Sequence, residues 1–273
     1  MDQVFTFVSG EAAPAPGVDD RGFNYGHGVF ETMRLYRGSI PLWQWHRRRL
    51  IEGAATLGIT VAPDFIERQL AEILAVVPPD GLIKLVATAG GGRRGYRFSG
   101  TSVPTTVFSW QPEPAPAPPA ALQVCRHRLP ANPALAGVKH LNRLDQVLAA
   151  MELGDDMEGL LLDSGGRVIE GLSHNLFARI DGRWVTPKLD AAGVAGVMRR
   201  YLMEHVFPTT GRGVGEAHLS LGPLLSAEEL LLCNAVTGIR PVASLGHDWQ
   251  RVEWPETEQL IKTLADLQPC FAV

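Results

Sequence analysis

An excess of charge of one sign is missing from this sequence. Over 273 residues, 25 Lys and Arg stand against 29 Asp and Glu, a formal charge of only -4, with no long block of either sign. A general binder of nucleic acid or of an anionic membrane needs a basic field, so both partners are argued against. Cysteine is scarce as well. Cys125, Cys233 and Cys270 are odd in number and far apart, which fits neither a disulfide framework nor a structural zinc site. The eight histidines never fall into H-x-x-H or H-E-x-x-H spacing, so no metal set is expected. There is no G-x-S-x-G elbow for serine hydrolysis and no apolar run of membrane-spanning length. The first residues, MDQVFTFVSGEA, lack the basic flank and long apolar segment of a secretory signal. These absences lead to the expectation of a soluble, reduced, cytoplasmic protein.

What is present is globular: 45% hydrophobic and 20% charged residues, enough apolar side chain for one large or two medium domains. One stretch breaks the pattern. QPEPAPAPPAA, residues 111–121, holds five prolines and no aromatic or β-branched residue. Proline removes backbone donors and favours extended geometry, so the segment reads as a linker. The expected domains are therefore residues 1–110, of mixed α/β character, and 122–273, an α/β domain that includes Lys139.

Before the linker, VFTFV, FETMRLYRG, LIKLVATAG and TTVFSW have the β-branched and aromatic content of strands. Apolar residues at helical spacing predict helices over 41–57 and 63–76, with Asp64 and Glu67 at the start of the second. After it, ALQVCRHRL reads as a strand. LNRLDQVLAAMELG reads as a helix whose Leu141, Leu144, Leu148 and Met151 share one face and which stops at Gly154. EGLLLD, RVIEG, NLFARI and RWVTP are predicted strands, joined by the turn signals DSGG and Asp181-Gly182. Helices are expected over about 194–206 and 256–267. The fold class is mixed α+β.

Several constellations invite a chemical reading. Gly90, Gly92 and Gly95 satisfy G-x-G-x-x-G after a strand, yet the dinucleotide fingerprint requires a helix next, and RFSGTSVPTTVFSW does not supply one. What remains is a glycine loop carrying Arg93, Arg94 and Arg97, either a solvated hairpin or a means of reaching an anionic ligand. Lys139 follows the apolar run ALAGV just ahead of a helix; it either snorkels to solvent or, partly desolvated, offers a neutral amine for Schiff-base chemistry. Glu170, at the end of RVIEG, is an exposed turn carboxylate or a partner that holds a heteroaromatic nitrogen protonated. In TPKLDAAGVAGVMRRYL, Gly193 and Gly196 permit a tight turn or let helix-start N–H groups approach a phosphate. Arg49 in WHRRRL belongs to a solvated helix face or clamps a phosphate.

In this order the features are not independent. The chain resembles the fold-type IV pyridoxal-phosphate enzymes, the group of branched-chain aminotransferases, D-amino-acid aminotransferases and aminodeoxychorismate lyase. The resemblance is carried by DRGFNYGHGVFETMRLYRG from Asp20, the 46–50 segment, VKHLNRL around Lys139, VIEGLSHNLF from Val168 and TPKLDAAGVAGVMR from Thr186, nearly the whole chain. Three stretches resemble the lyase branch in particular: GGGRRGY ending at Tyr96, NPALAGVKHLNRLDQVL from Asn132, and LLCNAVTGIRPV from Leu231. His27 stands where an aspartate is common, and Arg93 interrupts what is usually a more glycine-rich loop.

The resemblance implies a two-domain architecture with the active site between domains, pyridoxal 5'-phosphate as cofactor, and a homodimer. It implies that Lys139 holds the cofactor covalently and then moves the proton, and that Glu170 pairs with the pyridine nitrogen. Arg49, the backbone of Val197 and Met198, and Asn234 with Ala235 would surround the phosphate. Arg94 would face a substrate carboxylate, with His27 on the substrate side. The implied reaction is conversion of 4-amino-4-deoxychorismate to 4-aminobenzoate and pyruvate in folate synthesis, with a class IV aminotransferase acting on D- or branched-chain amino acids as the alternative.

Overall fold

The computed structural model describes residues 5–8, 16–92, 95–100 and 102–272. The chain divides into two compact units: one holds the residues up to 114 together with 138–142, the other 115–137 and 143 onward. The first contains β1 (Phe5–Val8), α1 (Arg21–Tyr25), β2 (Gly28–Leu35), α2 (Trp43–Thr56), α3 (Pro63–Leu74), β3 (Gly81–Thr88) and β4 (Thr105–Gln111). Its strands form an antiparallel sheet in the order β1-β4-β3-β2. Strand β2 alternates in burial: Val29, Glu31, Met33 and Leu35 are inside, while Phe30, Thr32 and Arg34 are half-buried. Helix α2 buries His46, Leu50, Gly53 and Ala54, a stripe at i, i+4, i+7 and i+8. Leu50 and Ala54 join Ile66, Leu70 and Ile73 of α3 in one apolar core with Met33, Ile83, Leu85 and Phe108 of the sheet. After β3 comes the antiparallel strand β4 rather than a helix, which is why the glycine motif there cannot hold a dinucleotide.

The second unit contains β5 (Ala120–Leu129), α4 (Leu144–Ala150), β6 (Met157–Asp163), β7 (Val168–Gly171), β8 (Asn175–Ile180) and β9 (Arg183–Pro187). Then follow α5 (Val197–Tyr201), a π-helical turn over Leu202–Val206, α6 (Phe207–Thr209), β10 (Val214–Ala217), α7 (Leu221–Leu225), β11 (Glu229–Asn234), β12 (Gly238–Leu245), β13 (Trp249–Gln250) and α8 (Pro255–Leu267). Among the described residues the strands run β10-β9-β8-β11-β12-β5-β6-β7, with β13 on β12. The sheet is mixed, because β5 lies parallel to both β12 and β6 and β9 is parallel to β10, while the other neighbours are antiparallel. Leu122, Leu160, Leu176, Leu230, Leu232 and Val242 form its apolar core with Leu219 and Leu224. The mixed α/β class matches the expectation from composition and pattern.

Three expectations need correction. The proline-rich segment is shorter than residues 111–121, since β4 includes Gln111 and β5 already begins at Ala120. Lys139, expected with the second domain, packs with the first: Phe30 N–H donates to the Lys139 carbonyl and Leu141 N–H to the Gly28 carbonyl, each at 3.0 Å, so 138–142 lies along the edge of β2. Finally, the helix after Lys139 begins only at Leu144 rather than at Leu141, and its apolar face is open: Leu144 is 75% exposed and Met151 77%, with Val147 and Leu148 about half exposed.

Candidate active site

Three consecutive arginines on α2 go three ways. Arg47 meets Glu67 on α3, Arg48 pairs with Glu52 one turn along its own helix, and Arg49 turns inward to Glu31 on β2. The Arg49 Nε–H donates to Glu31 Oε1 at 2.7 Å, and its Nη2 reaches Oε2 of the same carboxylate. His46, one turn before Arg49, places Nδ1 2.6 Å from Glu31 Oε2. Burial alone would raise the Glu31 pKa, but the Arg49 charge and the His46 bond oppose it and hold it at about 2. Burial pushes His46 below its ordinary value despite that carboxylate, and the Arg49 and Lys139 charges push the same way. A neutral His46 therefore donates through Nδ1–H. Neither Glu31 nor His46 was singled out from the sequence, although a carboxylate at a core-facing position of β2 and a histidine in the buried stripe of α2 were readable signals.

Lys139 is half-buried on the β2 edge, with Nζ 4.3 Å from the centroid of the Phe30 ring. The same unit holds His27. Its Nδ1 accepts from Arg21 Nε at 3.2 Å and its Nε2 lies 2.9 Å from the Leu57 carbonyl, so both ring nitrogens are engaged by protein. Arg21 also donates to the carbonyls of Gly95 and Tyr96, so His27 is linked through it to the glycine loop. Arg93 and Arg94 lie outside the described residues.

In the second unit, Glu170 is 4% exposed on β7 and accepts from the Val194 N–H at 2.8 Å. Gly137 and the 193–195 segment bond reciprocally, Gly137 N–H to the Gly193 carbonyl and Ala195 N–H to the Gly137 carbonyl. From Gly137 the chain runs two residues to Lys139. Asn175 donates to the Val194 carbonyl at 2.9 Å, and Gly196 caps α5, so Val197 and Met198 supply the first N–H groups of that helix. Two glycines keep this cradle open. Gly193 has φ +88°, and a Cβ there would sit 2.7 Å from Ile169 and 3.3 Å from Glu170 Oε2; at Gly196 it would fall 1.9 Å from Asn175 Oδ1.

Asn234 lies at the turn between β11 and β12. Its Oδ1 accepts from the N–H groups of Val236 and Thr237 and from the Thr237 hydroxyl, while its Nδ2 donates to the Ser173 carbonyl at 3.4 Å. The carboxamide thus organises its own turn, and Thr237, not singled out from the sequence, is drawn into it. Cys233, just before this turn, lies opposite Asn175 across β11 and β8, and Asn175 in turn donates to the Val194 carbonyl. Cys233 itself is no nucleophile, because burial pushes its thiol up to about 12.

The residues suit pyridoxal phosphate: an amine on Lys139, a buried carboxylate for a pyridine nitrogen, and a glycine cradle ending in helix-start N–H groups for a phosphate. Among the described residues no group of His, Cys, Asp or Glu is arranged to hold a metal, and no helix is long and apolar enough to cross a membrane.

Known proteins agree with this chemistry. The chain is 34% identical to an aminodeoxychorismate lyase of Vibrio harveyi over 249 residues, 86% of this chain and 89% of that protein. A putative branched-chain-amino-acid aminotransferase of Methanocaldococcus jannaschii is 32% identical over 238 residues, 82% of this chain and 81% of that one. The crystal structure of 4-amino-4-deoxychorismate lyase from Pseudomonas aeruginosa superimposes with a TM-score of 0.90 at 39% identity, covering 96% of this chain and 98% of the other. Residues 28–245 match the model of the amino-transferase class IV family, and the chain belongs to that family.

Proposed function

We propose that this protein is a pyridoxal-phosphate-dependent lyase that converts 4-amino-4-deoxychorismate to 4-aminobenzoate and pyruvate, the step that furnishes 4-aminobenzoate for folate. The observation that carries the reading is the backbone pairing of Gly137 with 193–195. It ties the chain leading to Lys139 to the segment whose Val194 N–H holds Glu170. When bound, the cofactor supplies an electron sink for the pair left at the amine-bearing carbon. Lys139 holds the cofactor and, once the substrate amine has taken its place, removes the proton from that carbon. Glu170 keeps the pyridine nitrogen protonated. Arg49, the N–H groups of Val197 and Met198, and the Asn234–Ala235 turn bind the phosphate. Arg94 receives a substrate carboxylate, and His27 acts on the substrate side by holding Arg21. Cleavage of the enolpyruvyl ether bond takes up the electron pair, and the new aromatic ring makes the step favourable.

The Methanocaldococcus relative favours a second reading, transamination. Products separate the two. Given aminodeoxychorismate alone, the enzyme should release pyruvate and 4-aminobenzoate over many turnovers with no 2-oxo acid present. A single stoichiometric conversion of the cofactor to its amine form, with no 4-aminobenzoate, would establish the transaminase instead.

The functional unit in this reading is a cytoplasmic homodimer. Three free cysteines, all buried, suit a reducing compartment. The open face of α4, with Leu144, Val147, Leu148 and Met151, is apolar surface that a second copy covers. The double variant Leu144→Glu, Leu148→Glu should run as a monomer by size-exclusion chromatography with light scattering. A dimer of unchanged concentration dependence would remove α4 from the interface.

A further inference from the structure

We infer that Glu31 and His46 are positioning residues that set the guanidinium of Arg49 for the cofactor phosphate. The inference rests on the assignment of Arg49 to that phosphate. Glu31 and His46 are each 1% exposed in their side chains, and Arg49 is 15% exposed. Glu31 therefore faces a core of Met33, Leu50 and Ile83 and is kept ionised there by its two partners. A buried carboxylate is retained only where it is paired and hydrogen-bonded, and here both oxygens are used. The pair is bidentate, through the Nε and Nη2 edge of Arg49, which fixes the plane of the guanidinium as well as its place. An arginine on a long flexible stem otherwise has many rotamers open to it, and the neighbours Arg47 and Arg48 take different directions to Glu67 and Glu52.

His46 completes the arrangement. As a neutral donor it holds Glu31 from the side of α2 without adding positive charge, so Glu31 cannot rotate away from Arg49. Helix α2 carries both His46 and Arg49, and the carboxylate between them is anchored on β2, one residue from the Phe30 that Lys139 overlies. Strand and helix are thereby locked at one point. The opposing physical effect is charge: Glu31 also neutralises Arg49, and its removal would strengthen attraction for a phosphate if neutralisation were its main consequence. The two effects have opposite signs, which makes the question decidable.

The test titrates the full chain, freed of cofactor, with pyridoxal 5'-phosphate and with pyridoxal, following the visible absorbance of each and taking the ratio of the two dissociation constants. A purely structural loss moves both affinities together and leaves the ratio alone. Arg49→Ala should lower the preference for the phosphorylated form by about a hundredfold, the cost of losing one partner of a buried charge pair. Glu31→Gln should lower it by about tenfold, the penalty of a misplaced clamp. If Glu31→Gln leaves the preference unchanged or raises it while Arg49→Ala collapses it, the positioning role is wrong and the phosphate assignment stands. If Arg49→Ala itself leaves the preference unchanged, the phosphate assignment fails and the inference falls with it. Should Glu31→Gln not fold, His46→Gln carries the test, with an expected drop of about threefold for one lost hydrogen bond; an unchanged preference there overturns the proposal.

Discussion

Replacement of Lys139 by alanine should lower turnover by about 10⁴-fold or more, because in the proposed reading one side chain supplies both the covalent anchor and the proton transfer. The loss should be chemical rather than structural. Lys139 lies on an edge segment held by backbone bonds to β2, which alanine keeps, and its ammonium contributes a contact with the Phe30 ring worth about 0.5–1 kcal/mol at most. The thermal midpoint of the variant should therefore stay within a few degrees of the parent. Borohydride treatment of the loaded enzyme should fix the cofactor irreversibly to one lysine, and the chain has only four to choose from: Lys84, Lys139, Lys188 and Lys262. Lys84 is the informative competitor, since its Nζ sits 5.6 Å from the centroid of the same Phe30 ring. Peptide mapping that found the label on Lys84, or a Lys139→Ala enzyme that still turned over at the parental rate, would overturn the assignment.

The strands and helices around these residues were legible where one physical signal dominated. Strand β2 was read from its β-branched and aromatic content and α2 from apolar residues at helical spacing, and each packs one face on a single core. Strands β11 and β12 were not read as elements. Glu229–Cys233 is buried throughout, so it shows no period of two, and an apolar run as short as LLLC does not distinguish strand from helix. The apolar face of α4 was legible as apolar, but sequence does not name what covers it, and within this chain it stays open. The placement of Lys139 was missed for a different reason. Its segment belongs to the first unit through two backbone bonds to β2, long-range pairings between residues more than a hundred positions apart that local pattern does not encode. Asn234 shows a different case, a residue named through a motif whose carboxamide oxygen is engaged by the N–H groups of its own turn.

Glu170→Gln should leave the fold intact and slow turnover by about 10²-fold, within the range that a positioned acid or base contributes. The substitution is nearly isosteric, and the carboxamide oxygen can still accept from the Val194 N–H, so the 193–196 cradle keeps its shape. What is lost is negative charge. In the proposed reading a neutral amide would no longer favour the protonated pyridine nitrogen, and without that proton the ring would accept the electron pair poorly, so removal of the proton by Lys139 would become the slow step. Glu170→Ala is the control for architecture: it leaves the buried Val194 N–H without its acceptor, a cost of about 1–3 kcal/mol, and should lower the thermal midpoint as well as the rate. The measurement that separates charge from structure is deuterium exchange at the amine-bearing carbon, followed together with steady-state turnover. Both should fall in parallel in the glutamine variant while its thermal midpoint holds. If exchange and turnover both remain at the parental level, the carboxylate serves only to hold Val194, and the electron-sink role assigned to it is wrong.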